Sequence, residues 1–168
     1  MLMQRALPLP APARPQGVVV RPQVPDDSDA LGALYWDSYP KGVAAVDLQD
    51  AIEEMEGVFD GEYGTPVEDA SLVIETPEGE LIGCVQTVTS PPWEGIPDGP
   101  FVIELFVHPD HRRRGLGSVL LLNAAQACHR QGWTSIALNM QEETAREASH
   151  LYRRLGFDEI TPVGATGN

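Results

Sequence analysis

Apolar residues along this chain follow two rhythms. "GVVVRP" (17–22), "ASLVIET" (70–76), "ELIGCVQTVTS" (80–90), "FVIELFV" (101–107) and "TSIALNM" (134–140) are short runs rich in β-branched residues, and they predict strands. The run 101–107 is apolar at almost every position, which suits a central strand covered on both faces. "PEG" between 70–76 and 80–90 is a turn signal and predicts an antiparallel hairpin. Elsewhere the period is helical. "DDSDALGALYWDSY" (26–39) opens on capping acids and carries Leu31, Leu34 and Tyr35 at helical spacing. "VDLQDAIEEMEGVF" (46–59) repeats apolar residues at Leu48, Ile52 and Met55. A helix from about Arg114 to Gln131 buries Leu116, Val119, Leu120, Leu122 and Ala127, and "ETAREASHLYRRLGF" (143–157) predicts a last helix closed at Gly156, a left-handed cap position. "PPWEGIPDGP" (91–100) reads as a loop, and "DEITPV" (158–163) can form one short final strand.

The expected order is β-α-α-β-β-β-α-β-α-β. The strand–helix–strand unit over 101–140 implies parallel pairing with a right-handed crossover, joined to an antiparallel front half. The fold class is therefore α/β of the mixed α+β kind: a central mixed sheet of about six strands flanked by about four helices. With prolines at 8, 10, 12 and 15, residues 1–16 read as a disordered Pro/Ala-rich tail, and 17–168 as one domain. The same prolines break any signal-peptide core, and no run approaches the ~18 apolar residues of a membrane helix. The only two cysteines, Cys84 and Cys128, are isolated from one another, making neither a zinc site nor a disulfide framework; a reducing cytoplasm is the expected compartment. The chain stops at "TPVGATGN", leaving little material for a further strand, so the sheet is expected either to keep an unpaired edge or to take a strand from a second subunit as a homodimer.

Charge sharpens this picture. The formal net charge is −14, and no Lys or Arg stands between Lys41 and Arg112, an interval holding Asp47, Asp50, Glu53, Glu54, Glu56, Asp60, Glu62, Glu68 and Asp69. Such a field opposes nucleic-acid binding. It is either a solvated helix face or a means of attracting a cationic substrate. Against it stands "VHPDHRRRGLGSVLL" (107–121), with three consecutive arginines and a glycine pair ahead of an apolar helix. The first amides of a helix lack internal acceptors and carry the positive end of its dipole, and glycines leave that backbone open. The product is an anion pocket suited to a phosphate or pyrophosphate. It is no dinucleotide fingerprint, because Leu120 stands where a third glycine belongs, and no Gly-Lys-Ser/Thr phosphate loop is present.

"LFVHPDHRRRGLGSVLL" resembles the acyl-CoA signature of the GNAT superfamily of N-acyltransferases, Arg/Gln-x-x-Gly-x-Gly/Ala between a strand and a helix, with Arg112, Gly115 and Gly117 at the motif positions. "ASHLYRRLGF" is similar to that family's Ala-x-x-Leu-Tyr-x-x-x-Gly-Phe through Ala148, Leu151, Tyr152, Gly156 and Phe157. The resemblance implies a GNAT-like fold and an N-acetyltransferase using acetyl-CoA as cosubstrate, with no metal, acting on a primary amine. A cationic acceptor follows from the acidic front half. A non-catalytic acyl-CoA sensor is the alternative. By the same resemblance the amides of Arg112, Arg113, Arg114, Gly115, Leu116, Gly117 and Ser118 hold the pyrophosphate. Phe106 and Val107 pair with the pantetheine arm, and the Val107 amide faces the thioester oxygen. Arg113 and Arg114 fill variable positions and either touch phosphate or face solvent. Tyr152 is the implied acid for the departing thiolate, with simple packing as the alternative. Glu104, an acid among the apolar residues of 101–107, is the candidate base or amine ligand, because desolvation raises a carboxylate's pKa, with a structural ion pair or edge contact as the alternative. Ala145 stands where the family's usual asparagine would contact the cofactor.

Overall fold

The computed structural model describes residues 1–141 and 145–165, and its strands join in one mixed sheet of eight. The elements in chain order are β1 (Leu2–Ala6), β2 (Val19–Pro22), α1 (Ser28–Ser38), α2 (Leu48–Phe59), β3 (Thr65–Pro66), β4 (Leu72–Glu75), β5 (Leu81–Thr89), β6 (Phe101–Val107), α3 (Leu116–Arg130), β7 (Ser135–Asn139), α4 (Ala145–Arg154) and β8 (Asp158–Glu159). The sheet order is β2-β4-β5-β6-β7-β1-β8, with β3 beside β5. Only β6 and β7 are parallel; every other pair is antiparallel. Residues 143–144 of the expected last helix lie outside the described residues.

Alternation along β4 shows how the sheet divides its two covers. Val73 packs with Leu31, Leu34, Tyr35, Ala51 and Met55 of α1 and α2, while Leu72 and Ile74 pack with Leu116, Leu120 and Ala124 of α3. The predicted apolar residues of α1 and α3 are buried; of those predicted for α2, Met55 is buried and Ile52 meets α1 at Gly32, while Leu48 in the first turn is exposed and Ala51 and Val58 complete the buried face. α1 and α2 approach closely at Gly32. A Cβ on Gly32 would stand 2.6 Å from the Ile52 Cα, so the α1 backbone meets both the backbone and the side chain of Ile52 at a residue with no side chain of its own.

Three expectations are corrected. Residues 2–6 are not part of a disordered tail, since β1 pairs with β7 from Leu2–Asn139 to Ala6–Ser135 and with β8 through Met3–Glu159 and Gln4–Asp158. Met3 is 2% exposed. The prolines that dominate the composition of this segment begin at residue 8, beyond the strand. The edge of β7 is consequently covered by the chain's own N-terminal strand, and it is neither bare nor filled by a second subunit. The final strand is limited to Asp158–Glu159, both exposed, and β3 was not foreseen. Among the described residues no helix is long and apolar enough to cross a membrane.

β1 also anchors the end of α4. The Arg5 Nε donates to the Leu155 carbonyl at 3.0 Å. Gly156 takes φ +83°, its N–H bonds the Arg153 carbonyl, and the Phe157 N–H bonds the Tyr152 carbonyl, both at 3.0 Å. This is the six-to-one and five-to-two pattern of a glycine-terminated helix, as the sequence predicted. A side chain at Gly156 would also strike Arg5. Tyr152 is thereby fixed by backbone bonds on its own helix end.

Replacing Gly32 by Val should cost about 3 kcal/mol or more through overpacking against Ile52, measurable as a lower denaturation midpoint with an unchanged m-value. An unaffected midpoint would mean that the two helices separate freely.

Candidate active site

The site begins where two strands part. β6 and β7 pair only at Phe101–Ala137 and Val102–Leu138, yet β6 runs on to Val107 along β5. Its register on β5 shifts between Gln86 and Thr87, so that Gln86 faces Glu104 and Thr87 faces Val102, leaving Ile103 as the extra residue. A bulge of this kind bends the strand and re-aims the side chains beside it. Past the bulge the ladder is regular: the His108 N–H donates to the Ile82 carbonyl at 2.9 Å, and Gly83 opposes Val107. Backbone groups alternate in direction along an antiparallel strand, so the Val107 N–H and C=O point away from β5, into the opening.

The loop after β6 prepares an anion site. Pro109–His111 makes one 3-10 turn, Arg113 takes φ +62°, and Gly115 takes φ +73° at the N-cap of α3 with nothing within 4 Å of where a Cβ would stand. α3 is 15 residues long with no acid in its first turn. Its dipole and its free first amides therefore face outward unopposed. Gly117 would bring a Cβ to 3.4 Å of Leu151, a tight but tolerable contact. Arg154, which the sequence reading left unassigned, comes from the end of α4 and donates to Ser118 Oγ at 3.0 Å, bringing a distant arginine to the helix start. Arg114 joins His111, with Nη1 2.8 Å from Nδ1. Arg112 behaves differently: its side chain turns inward, with Nε donating to the Val107 carbonyl at 3.1 Å and Nη2 to the Ser38 carbonyl. Its backbone N–H is also turned inward, donating to the Pro109 carbonyl at 3.4 Å, so the loop's outward face begins after Arg112.

On the opposite side of the opening stands Glu104. Tyr35 Oη donates to its Oε1 and Tyr39 Oη to its Oε2, each at 3.3 Å. Burial pushes the carboxyl up to about 7 from its usual 4.5; the two tyrosine hydroxyls pull it down, and Glu54 on α2 pushes it up again. Both tyrosines are themselves raised, first by burial and then by Glu104, so each remains a neutral donor. Sequence reasoning placed Tyr35 in the core and did not single out Tyr39. Their signal was a repeat of aromatic hydroxyls one turn apart at the end of a helix, which has no meaning until Glu104 is seen opposite. The rings of Tyr35 and Tyr39 also pack on Phe106, with centroids 5.4 and 6.2 Å away. Glu54 is held by Tyr63 Oη at 2.7 Å, and Tyr63 stacks on the half-exposed Trp93. The wall is acidic and aromatic, without a Lys or Arg from the interval 42–111.

Tyr152 is 8% exposed, and its ring lies 6.0 Å from that of Phe157. It belongs to the α3 side of the sheet and Glu104 to the α1 side, yet burial and then the Glu104 charge push its hydroxyl up to about 12. The two sides communicate through the parted strands. The structure thus brings together Glu104, Tyr152, Phe106, Val107 and the loop 112–118. Ala145, singled out for the asparagine it replaces, starts α4. Among the described residues no cluster of His, Cys, Asp and Glu could hold a metal ion.

An acetyltransferase (GNAT) domain model matches residues 68–159, more than half of the chain. No curated protein matches by sequence. Among solved structures, a GCN5-related N-acetyltransferase from Sphaerobacter thermophilus is 20% identical with a TM-score of 0.71, covering 95% of this chain and 48% of that one, so the chain spans about half of its length. Aminoglycoside N-acetyltransferase AAC(6')-Iy in complex with CoA is 18% identical, TM-score 0.66, over 93% of this chain and 99% of that one. Diaminobutyrate acetyltransferase EctA from Paenibacillus lautus, in complex with L-2,4-diaminobutyric acid and coenzyme A, is 22% identical, TM-score 0.57, over 82% and 73%. With the parted strands, the glycine loop and the matched domain in agreement, the chain belongs to the GNAT acetyltransferase family.

Proposed function

We propose that the protein transfers the acetyl group of acetyl-CoA to a primary amine that arrives as a cation. The observation that carries this reading is a desolvated carboxylate, Glu104, held by two tyrosine hydroxyls beside an opening that the Val107 N–H faces. Solved relatives of the same fold are bound to coenzyme A, and one to a diamino acid, which supports both halves of the reading. The backbone of the glycine loop that opens α3, with the α3 dipole and Arg154, suits a pyrophosphate. Phe106 and Val107 border the gap that would take the pantetheine arm.

Glu104 attracts the ammonium and accepts one proton from it, leaving a free amine. The amine nitrogen bonds to the thioester carbon, and the Val107 N–H stabilises the oxyanion that forms. As the carbon–sulfur bond breaks, the Tyr152 hydroxyl gives its proton to the sulfur, and the second nitrogen proton restores the phenol. Products are the acetamide and the free thiol. A hydroxyl raised to about 12 stays protonated at neutral pH, and a carboxyl raised to about 7 is close to the optimum for a base there. An acyl-CoA sensor needs neither group so placed, and thiol release with a panel of amines separates the two.

Acetyl-CoA should raise the melting temperature of the parent, because a ligand of the native state stabilises it by mass action. Gly117→Glu should abolish that rise by placing bulk and negative charge in the anion site. A parent without any rise at millimolar ligand would count against the reading.

Tyr152→Phe keeps the ring and removes the hydroxyl. Turnover should fall roughly 10²-fold with acetyl-CoA affinity nearly unchanged, the range for a positioned acid. Equal turnover would reduce Tyr152 to packing.

Glu104 also links stability to pH. Its folded pKa lies above the unfolded value, so its contribution to stability is fully present below about 4.5 and is lost as pH rises through about 7. Glu104→Gln should therefore raise the melting temperature at pH 8 by a few degrees, corresponding to roughly 1–3 kcal/mol, with the gain gone by pH 4. A gain independent of pH would show that the carboxyl does not titrate in this window.

A further inference from the structure

The side chain of Arg112 reaches 74 residues back along the sequence. Its acceptor is the carbonyl of Ser38, the last residue of α1 and itself 4% exposed. The last carbonyls of a helix lack internal donors and carry the negative end of its dipole, so a cation there is favourable. α1 has no basic residue in its last turn, and Tyr39 after it is extended, so the helix ends without a glycine cap. Lys41, the nearest cation in sequence, lies over the Trp36 ring at 4.2 Å. The guanidinium of Arg112 supplies what α1 lacks, while its Nε holds the Val107 carbonyl at 3.1 Å.

One planar group thus joins the end of β6 to the end of α1. Both ends carry reacting groups, because Tyr39 follows Ser38 directly and donates to Glu104 Oε2. We propose that Arg112 is a positioning residue for the acceptor side: its guanidinium sets the end of α1 against the end of β6, so that Tyr39 holds Glu104 beside the Val107 N–H. Its side chain is not a ligand of the cofactor phosphates. The proposal rests on Glu104 receiving the amine. It also gives a reason for arginine at a motif position where glutamine is the family's alternative. A glutamine is shorter and offers a single amide group, whereas the guanidinium presents donors along two edges of a rigid fork.

The groups facing Glu104 bound the expected pH behaviour. They are Tyr35 and Tyr39 at the end of α1, Glu54 on α2, Cys84 on β5 and Tyr152 on α4. Cys84 and the three tyrosines are raised and remain neutral near pH 7, so Glu54 is the other charge in the set. Loss of the Tyr39 hydrogen bond removes a donor to the charged form of Glu104, and its titration moves upward.

The test compares Arg112→Gln, Tyr39→Phe and the double variant in the full chain. Arg112→Gln preserves the loop backbone, so the dissociation constant for coenzyme A should stay within about twofold. For a saturating acetyl-CoA assay, kcat/KM for the amine should fall about tenfold in each single variant, and the acid limb of its pH profile should rise by roughly one unit. The double variant should be no worse than the weaker single, since both remove the same constraint. Arg112→Gln that weakens coenzyme A tenfold while the acid limb stays in place overturns the proposal and makes Arg112 a phosphate ligand. Additive losses in the double variant overturn it as well. Glu104→Gln separates the underlying reading: if its acid limb is that of the parent, Glu104 is not the base. The non-additivity of Arg112 and Tyr39 in kcat/KM for the amine then decides the positioning role alone.

Discussion

Everything in the site depends on β6 and β7 ceasing to pair after Val102–Leu138. Continued pairing would occupy the Val107 N–H, close the sheet and leave Glu104 and Tyr152 on faces that never meet. Parting two adjacent central strands removes ladder hydrogen bonds, so each strand must be secured from its other side. β5 secures β6 through Phe101 to Val107, with the bulge at Ile103 supplying the bend. β1 secures β7 over five residue pairs. The N-terminal strand is therefore a condition of the opening, and through Arg5 it also holds the end of the helix that carries Tyr152.

The opening separates two electrostatic environments. One side has a glycine loop, a 15-residue helix dipole and arginines, which suit an anion. The other has Glu104 and Glu54, aromatic rings and no Lys or Arg from residues 42 to 111. Placing the carboxylate in a desolvated position costs stability above neutral pH, and the two tyrosine hydroxyls recover part of that cost. The protein keeps a group that destabilises it in the charged form, at the point where a proton acceptor near pH 7 is useful. Arg112 crosses between the two environments, which is why its motif position alone does not assign its side chain to the phosphates.

Legibility in the sequence followed the range of the interactions involved. The helices, the hairpin, the central strand, the glycine loop and the Gly156 cap are set by local patterns: apolar period, turn chemistry and left-handed backbone. Glu104 was readable because a lone acid within an apolar strand is conspicuous wherever that strand packs. Gly115, Gly117 and Tyr152 were readable because their motifs place them at helix ends. A short strand at 2–6 has no comparable signal, since its five residues are stabilised by β7 and β8 and precede a run of prolines. The close seating of Ile52 on Gly32 was hidden for a similar reason, since the two residues lie on different helices.

The sequence by itself determined the element types, the family motifs and the separation of acidic from basic segments, because each is carried by neighbours within a few turns of chain. Only the tertiary structure decided that the N-terminal strand lies beside β7, that Tyr35 and Tyr39 grip Glu104, and that Arg112 reaches Ser38. Those contacts join residues 65 to 139 positions apart, through hydrogen bonds whose partners are chosen by the packing of strands and helices. Such a bond leaves no period and no spacing in the chain. It exists only once the sheet has placed both of its ends in one opening.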